Sequence, residues 1–596
     1  MSIAESDDAM WLRARKLRSS FSYRTSNFRK GLNQLCAHSV HRPLSALACY
    51  GLLGLGPTQV LAQVQPDAGR VQQELRVPPA PATKPPEIRI EAPPTSGKVI
   101  DTPAFQVAGF RIAGATAFPQ KVLLELLGSA GLALTLGQIQ ARADLLAKFY
   151  ADRGYSVARA LVPAQDVRDS IVEIRLLEGR YGRIDIRNAT EISESRIRSL
   201  LGDSKEGELV HGPTLERGVL LLAEHAGIVP KATLEPGESS GLTDLVLEIG
   251  AGRKSEYDLS FDNAGSRFTG SQRISSGLTV NSPADIGDRF TARVVTSGKA
   301  LLSLRFAYEA PVGASGLRGG PYLSRTTYQL GGNFAALDAS GTADALGASF
   351  THPLIRSSAF NLRASVGGEA RKLEDKVGAT DTVNNKSARV LQLGLGGDAR
   401  NALLAGGMTV FQSQFTSGRV SLQTAALAAA DAAGAGTQGG YSKFLVTVNH
   451  TQALTEAWRL SVNYTGQWAL DNLDSSEKFS VGGLSGVRAY PPGEAAGDQA
   501  QLLQVEIRHQ GFLLGPGQFA PFGFYDAAKS RINHRIYAAF AGANTRELAG
   551  FGLGAEWSVP GGGFIRAWFA RKSGSEVASA DVDRASRFWT QAGLVF

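Results

Sequence analysis

From Ser255 to Phe596 apolar and polar residues trade places along the chain with a period of two. Within Trp458–Trp468, residues Trp458, Leu460, Val462, Tyr464 and Trp468 fall on one face, and Arg459, Ser461, Asn463, Thr465 and Gln467 on the other. Leu302–Glu309 repeats the arrangement, and Phe360–Val366, Phe444–Asn449 and Leu503–Arg508 share it. Successive side chains of a strand point to opposite faces, so this pattern predicts half-buried β-strands. Two architectures use such strands. A membrane barrel turns the apolar face outward to lipid, and a soluble sandwich turns it inward. Aromatic residues at strand ends, Gly-rich turns and the shared face of Phe588, Thr590, Ala592, Leu594 and Phe596 favour the barrel. A transmembrane strand takes ~9–11 residues, so residues 251–596 accommodate fourteen, sixteen or eighteen strands with their connections.

Upstream of residue 250 the period lengthens. Pro119–Leu127 and Leu136–Arg153 have helical spacing, the second with Ile139, Ala143, Leu146, Ala147 and Tyr150 on one face. Phe105–Ile112, Val157–Val162 and Ile171–Leu177 alternate as strands, which gives the order β-α-α-β-β. The order then recurs: strand Tyr181–Arg187, helices Ser193–Leu200 and Leu215–Ala223, strands Ala232–Glu235 and Thr243–Ile249. Two tandem modules, 103–179 and 180–250, form an internal repeat.

The first 62 residues read as an address. Arg13, Arg15, Lys16, Arg18, Arg24, Arg29, Lys30 and Arg42 precede a short apolar run, Leu44–Leu55, and then Val60-Leu61-Ala62. Basic region, apolar region and small residues in that order predict an extended signal peptide cleaved after Ala62. A lipoprotein signal at Cys49 fits less well, because Leu47 is bulky and little apolar sequence precedes the cysteine. Gln63–Leu75 is expected to hold a short polar helix (residues 63–76), and residues 77–102, with VPPAPATKPPEIRIEAPPT, an extended Pro-rich linker.

Composition narrows the class. The chain has 68 Gly, three Met and two Cys, and both cysteines (Cys36 and Cys49) fall within the expected presequence. A cysteine-free mature chain suits an oxidising compartment. The net charge of +8 includes +5 from residues 1–62, so no concentrated basic stripe remains and nucleic-acid binding is not expected. Neither a metal nor another cofactor is expected, and no enzyme is indicated: the eight His show no HExxH or paired Cys/His spacing. Gly550-Phe551-Gly552-Leu553-Gly554 imitates a phosphate-binding loop but lies in an alternating strand. Ala425–Ala435 reads as a loop or short helix outside the barrel.

Particular phrases carry a family resemblance. The helix ending KFYADRGY and the strand pair VEIRLLEGRYGRIDIRN resemble polypeptide-transport-associated (POTRA) domains, periplasmic modules that bind extended chains by strand addition. The resemblance implies a binding groove bordered by helix 141–153 and strand 157–162 of the first module. Asp262-Asn263-Ala264-Gly265, with Gly270 and Arg273 after it, is similar to the first barrel strand of two-partner secretion transporters of the haemolysin secretion/activation type. Asn281-Ser282-Pro283 with Gly287-Asp288 resembles that family's first turn, and Tyr308–Arg318 and His352–Ser357 its signature phrases. Residues 63–76 look like its plug helix. The resemblance implies a mainly β chain with α+β modules: two periplasmic POTRA domains and a sixteen-stranded transmembrane barrel in a bacterial outer membrane. It also implies that Phe596 is read by the barrel-assembly machinery.

Phe479–Tyr490 (FSVGGLSGVRAY) resembles that superfamily's lumen loop, whose tip motif would be Val487, Arg488 and Tyr490, within a loop near 479–500. The resemblance pairs Arg488 with Asp526 of Phe524-Tyr525-Asp526 on the barrel wall. Ala489 stands where the family prefers Gly, and would be strained if the tip needed a left-handed backbone. The function implied is nucleotide-free export of a haemagglutinin- or haemolysin-like exoprotein, its N-terminal secretion domain captured by the modules. A barrel-assembly insertase is the alternative, and a passive porin would leave both modules unexplained.

Overall fold

The computed structural model describes residues 66–75, 87–90 and 103–596, apart from 130 and 168. The expected signal peptide, its expected cleavage site and most of the Pro-rich stretch lie outside the described residues. Strand β1 (Glu87–Ile90) falls inside that stretch, so part of the expected linker is sheet. Helix α1 is Ala68–Glu74, N-capped by Asp67, whose carboxylate accepts from the Arg70 amide at 2.9 Å.

The first module pairs β3 (Gly109–Ala113) parallel to β6 (Ile171–Leu177), and β5 (Arg159–Leu161) antiparallel to β6. The expected strand 105–112 is divided: β2 (Phe105–Val107) pairs instead with β4 (Leu132–Leu134), which periodicity missed because it is three residues long. Helices α2 (Gln120–Leu127) and α3 (Leu136–Ala151) cover the sheet through Leu123, Leu127, Ala143, Leu146 and Tyr150. A capping box, Thr135 with Gln138, starts α3.

The second module repeats this with β7 (Arg180–Asn188), α4 (Glu194–Leu200), α5 (Gly212–Ala223), β8 (Ile228–Pro236) and β9 (Leu242–Ala251). The two meet where the Gly212 amide donates to the Gly154 carbonyl at 2.8 Å, and Glu178 closes the first module beside this junction. Its buried carboxylate accepts from the Thr116 and Ala117 amides (2.7 and 2.8 Å), the Tyr150 hydroxyl (2.7 Å) and the Thr116 hydroxyl. Burial pushes this carboxyl up, but the hydrogen bonds from Ala117, Thr116 and Tyr150 outweigh it and hold it below the ordinary range. Arg180, first in the second module, then donates to the Thr116 hydroxyl at 2.9 Å.

Strands β10 (Ser255–Asp262) to β26 (Ser586–Val595) close into a barrel. Strands β21 (Gln499–His509) and β22 (Phe512–Leu514) both pair with β23 (Gly517–Arg531), successive parts of one barrel position, which makes sixteen strands. Exposed apolar residues such as Leu259, Phe306, Leu391, Leu393, Phe415, Phe551 and Leu594 ring the outside, while charged residues such as Arg371, Lys443 and Asp526 are buried inside. The ambiguity of alternation is thereby resolved: apolar faces point out, as lipid requires. No described helix is long and apolar enough to cross a membrane. Helix α6 (Ala425–Ala433) lies in the connection between β18 (Gly407–Leu422) and β19 (Gly439–Ala453), outside the strands.

The barrel closes where β10 meets β26, from Asp258 opposite Val595 to Asp262 opposite Gln591. The phrase read as the first strand proves to be mostly its turn. Strand β10 ends at Asp262 and β11 begins at Arg273, because Asp262 turns its carboxylate back to the Ala264 amide (2.8 Å) and Arg273 Nε (2.9 Å). Gly265 fits under the Gly270 carbonyl where a Cβ would collide. Asn263 crosses the seam, donating to the Phe588 carbonyl (3.0 Å) and accepting from the Thr590 amide (2.8 Å). Residues 282–288 then form the next connection, on the side of the modules.

Candidate functional site in the barrel lumen

Between β20 (Trp458–Ala469) and β21 the chain folds back through residues 470–498 and fills much of the lumen. Its tip is a tight turn: the Val487 amide donates to the Val481 carbonyl (2.7 Å) and the Tyr490 amide to the Val487 carbonyl (3.0 Å). Gly483, at φ +92°, accepts the left-handed conformation that the turn imposes. Val487, Ala489 and Tyr490 are fully buried.

Arg488 is gripped from several sides. Its Nε and Nη2 donate to the two Asp526 carboxylate oxygens at 2.9 and 2.8 Å, and its own amide donates to Asp526 at 3.0 Å. Nη1 reaches Glu506 at 2.9 Å, the guanidinium lies 3.6 Å from the Phe524 ring centre, and Trp589 donates to its carbonyl. The bidentate, charge-assisted geometry is the strong form of this contact. Asp526 has no exposed surface, and Phe522, Phe524 and Asp526 share the lumen face of β23 while Tyr525 points out.

Ala489 is not strained. No positive φ occurs there, and its methyl group sits against Gly550 of β24 (Thr545–Val559), where a Cβ would lie 2.5 Å from it. The glycines of the GFGLG phrase therefore have a steric role: Gly550 admits Ala489, and Gly552 and Gly554 admit the rings of Phe524 and Phe522. Ala495 is the non-glycine residue of the loop at positive φ, +50°.

Further ion pairs fasten the loop. Glu494, fully buried, accepts from the Ser579 and Ala580 amides (both 2.8 Å) and from Arg546 (3.2 Å). Asp498 takes Lys478 at 2.6 Å and the His534 amide at 2.7 Å. Glu477 bonds Arg371 and, at 2.7 Å, Lys443. Tyr490 donates to the Glu576 carbonyl at 3.1 Å, with Lys572 over its ring.

Helix α1 rests on this loop. Lys386 lies between Asp67 (3.3 Å) and Asp474 (3.1 Å), Gln73 donates to the Ser476 carbonyl at 2.7 Å, and Arg70 donates to the Gly493 carbonyl. The Ala68 amide donates to Asp375 at 2.8 Å, and Gly69 packs directly on Ser476. Ala68 and Val71 meet Leu301, Tyr328, Leu330, Ala343 and Leu373 of the wall. Helix α1 and the loop thus share one polar network. Sequence reading missed Glu506, Trp589, Lys386 and Glu494; the acids Asp471, Asp474 and Glu477 just before the loop were the available signal. Among the described residues no cluster of three His, Cys, Asp or Glu is placed to hold a metal.

The second module meets the barrel turns through α5 and residues 224–226 at its C-terminal end. Glu224 pairs with Arg356 at 2.7 Å, Glu216 accepts from the Ser358 amide (2.9 Å), and the Ala226 amide donates to the Gly287 carbonyl (3.2 Å). His225 is buried under Gly287, its Nδ1 hydrogen-bonded to the Leu221 carbonyl. Burial pushes its pKa down to about 4, helped by Arg318 and Arg196 and opposed by the Leu221 bond.

Known proteins share this architecture. Residues 241–557, more than half of the chain, match the model of the family "Haemolysin secretion/activation protein ShlB/FhaC/HecB", and residues 105–179 match "POTRA domain, ShlB-type". A heme/hemopexin transporter protein, HuxB of Haemophilus influenzae, is 26% identical over 462 residues, 77% of this chain and 81% of the relative. The outer membrane transporter CdiB of Dickeya dadantii is 23% identical over 442 residues, 71% and 76% of the two chains. The solved structure of CdiB from Escherichia coli superposes with a TM-score of 0.68 at 18% identity, covering 85% of this chain and 93% of that one.

Proposed function

The chain belongs to the haemolysin secretion/activation family of outer-membrane transporters, and on that premise we propose the route by which it exports its exoprotein. It sits in the outer membrane with its POTRA modules in the periplasm, and it moves protein cargo rather than assembling other barrels. The modules capture the unfolded exoprotein by its N-terminal secretion domain. The cargo then threads the lumen after α1 and the Arg488 loop give way, and folding outside prevents return. The apolar exterior is solvated by outer-membrane lipid. Phe596, exposed and stacked on Tyr257 of the first strand (ring centres 5.7 Å apart), is the C-terminal signal read by the barrel-assembly machinery.

One observation carries this reading: the lumen is filled by elements held through side-chain ion pairs rather than strand pairing, so they can leave without unzipping the wall. No chemical step is needed. Deleting residues 103–250 and measuring surface export of the co-expressed exoprotein tests it. Export is expected to cease while the barrel still inserts, and undiminished export would refute the capture step.

A further inference from the structure

The outer wall of the barrel carries an unmatched pair of like charges. On β17 (Thr382–Asn401) the residues Leu395, Leu393, Leu391 and Arg389 share the outward face, and on β18 Phe415, Ser417 and Arg419 do. Arg389 stands directly opposite Arg419 across the two strands. Both are exposed, and neither side chain has an ion-pair or hydrogen-bond partner among the described residues. Like charges that face each other across a ladder destabilise a sheet. Arg293 and Arg305 also face each other, but Asp258 lies 3.6 Å from the first and the Tyr322 ring 4.2 Å from the second. A third exposed cation, Lys372 of β16 (Phe360–Val377), follows Ala370, the residue opposite Arg389. The acid opposite Lys372, Asp344, is already paired with Arg325 at 3.6 Å.

Strand direction sets the height of this cluster. The connection into β16 touches the second module at Ser358, so β16 runs away from the modules and β17 returns towards them. Arg389 is therefore the first charged residue beyond the apolar run Leu395, Leu393, Leu391, on the side away from the modules. With the modules in the periplasm, that side is the outer leaflet. Next to the arginines lies a shallow groove of about 700 Å³, lined also by Gly368, Ala370, Leu391, Ser417 and Gly440. Small side chains on three neighbouring strands open it. Below it the apolar ladder continues, with Leu393 opposite Val366 and Phe415, and Phe415 opposite Phe444.

We propose that Arg389 and Arg419, with Lys372 beside them, form a binding site for the phosphate headgroup of an outer-leaflet lipid. A phosphate between two guanidinium groups turns a repulsive pair into two charge-assisted contacts. The adjoining Leu391, Leu393, Phe415 and Phe444 receive the acyl chains, which a free phosphate would leave uncovered. The site depends on the outer-membrane placement of the barrel and not on the export route. On the inner face of the same wall, Arg371 and Lys386 hold Glu477 and Asp474 of the lumen loop, so a bound headgroup braces the strands that seat it.

The test uses the full transporter in detergent micelles, with native mass spectrometry counting retained lipid. The probe is bisphosphorylated lipid A, compared with dephosphorylated lipid A and with inorganic phosphate. The parent should retain lipid A, and Arg389→Gln with Arg419→Gln should weaken retention about tenfold or more. Arg571→Gln should leave it unchanged, since Arg571 is exposed on β25 (Gly563–Lys572) with Phe551 and Ser586 opposite it. Heat-modifiable migration in electrophoresis shows that each variant has folded. Dephosphorylated lipid A should bind the parent as weakly as lipid A binds the double variant. Equal retention by parent and double variant, an equal loss in Arg571→Gln, or equal retention of both lipids would overturn the proposal. Displacement of lipid A by inorganic phosphate at equal concentration would make the site one for free anions and overturn the lipid assignment.

Discussion

The indole Nε1 of Trp589 donates to the backbone carbonyl of Arg488 at 2.7 Å, tying the tip of the lumen loop to the last barrel strand. The same arginine faces Asp526 and Glu506, one guanidinium against two acids. The partners are therefore unequal under mutation. Arg488→Ala leaves the fully buried Asp526 without its cation, while Glu506 keeps Arg508 at 2.8 Å, and the loss of loop docking is about 3–5 kcal/mol for a buried pair. Asp526→Ala leaves Arg488 with Glu506 and should cost less. Hydrogen exchange over residues 483–493 checks the order: strong deprotection for Arg488→Ala, weaker for Asp526→Ala.

Ala489 and Gly550 make a steric pair. Ala489→Gly should change loop protection and export little, since nothing at that position requires positive φ. Gly550→Ala should displace the tip, because its Cβ would overlap that of Ala489. Overpacking of this kind typically costs about 1–3 kcal/mol. The double variant should recover most of the loss, and a double-mutant cycle on loop protection measures the coupling.

Lys386 holds the plug between two carboxylates. Lys386→Ala leaves Asp67 and Asp474 facing each other, and a seven-residue helix has little stability of its own once undocked. A loss of about 2 kcal/mol would raise the unplugged fraction about thirtyfold. Planar-bilayer recordings should then show frequent large openings that are rare in the parent protein.

His225 makes the junction between second module and barrel sensitive to acid. Its pKa in the folded protein, about 4, lies below the ordinary 6.5, so the unfolded junction binds the proton first. The junction is fully stable above pH 6.5 and loses stability as pH falls from there towards 4, by about 2 kcal/mol at pH 5. Hydrogen exchange over residues 282–288 should quicken at pH 5 relative to pH 7.5, and His225→Gln should flatten that dependence.

The sequence made the barrel, the module repeat and the Arg488–Asp526 pairing legible because each has a local signature: a period of two, a repeated order of elements, a short motif at each end of the ion pair. The lumen network was hidden because its partners are remote in sequence; Asp67 meets Lys386 across 319 positions, and Arg371 meets Glu477 across 106. Strand β1 was hidden by its setting, four alternating residues among prolines that by composition read as linker. Ala489 could not be decided from sequence, since strain and a permissive backbone fit the departure from Gly equally well; the structure has no positive φ there and uses Gly550 to make room.

The most direct test of transport through the lumen compares two neighbouring positions on β18. Gln414 points inward and Phe415 outward, where it is 40% exposed. A photo-cross-linking residue placed at each, during export of an exoprotein stalled by a tightly folded C-terminal fusion, should trap cargo at position 414 and not at 415. Cargo trapped at 415 alone would contradict passage through the barrel interior.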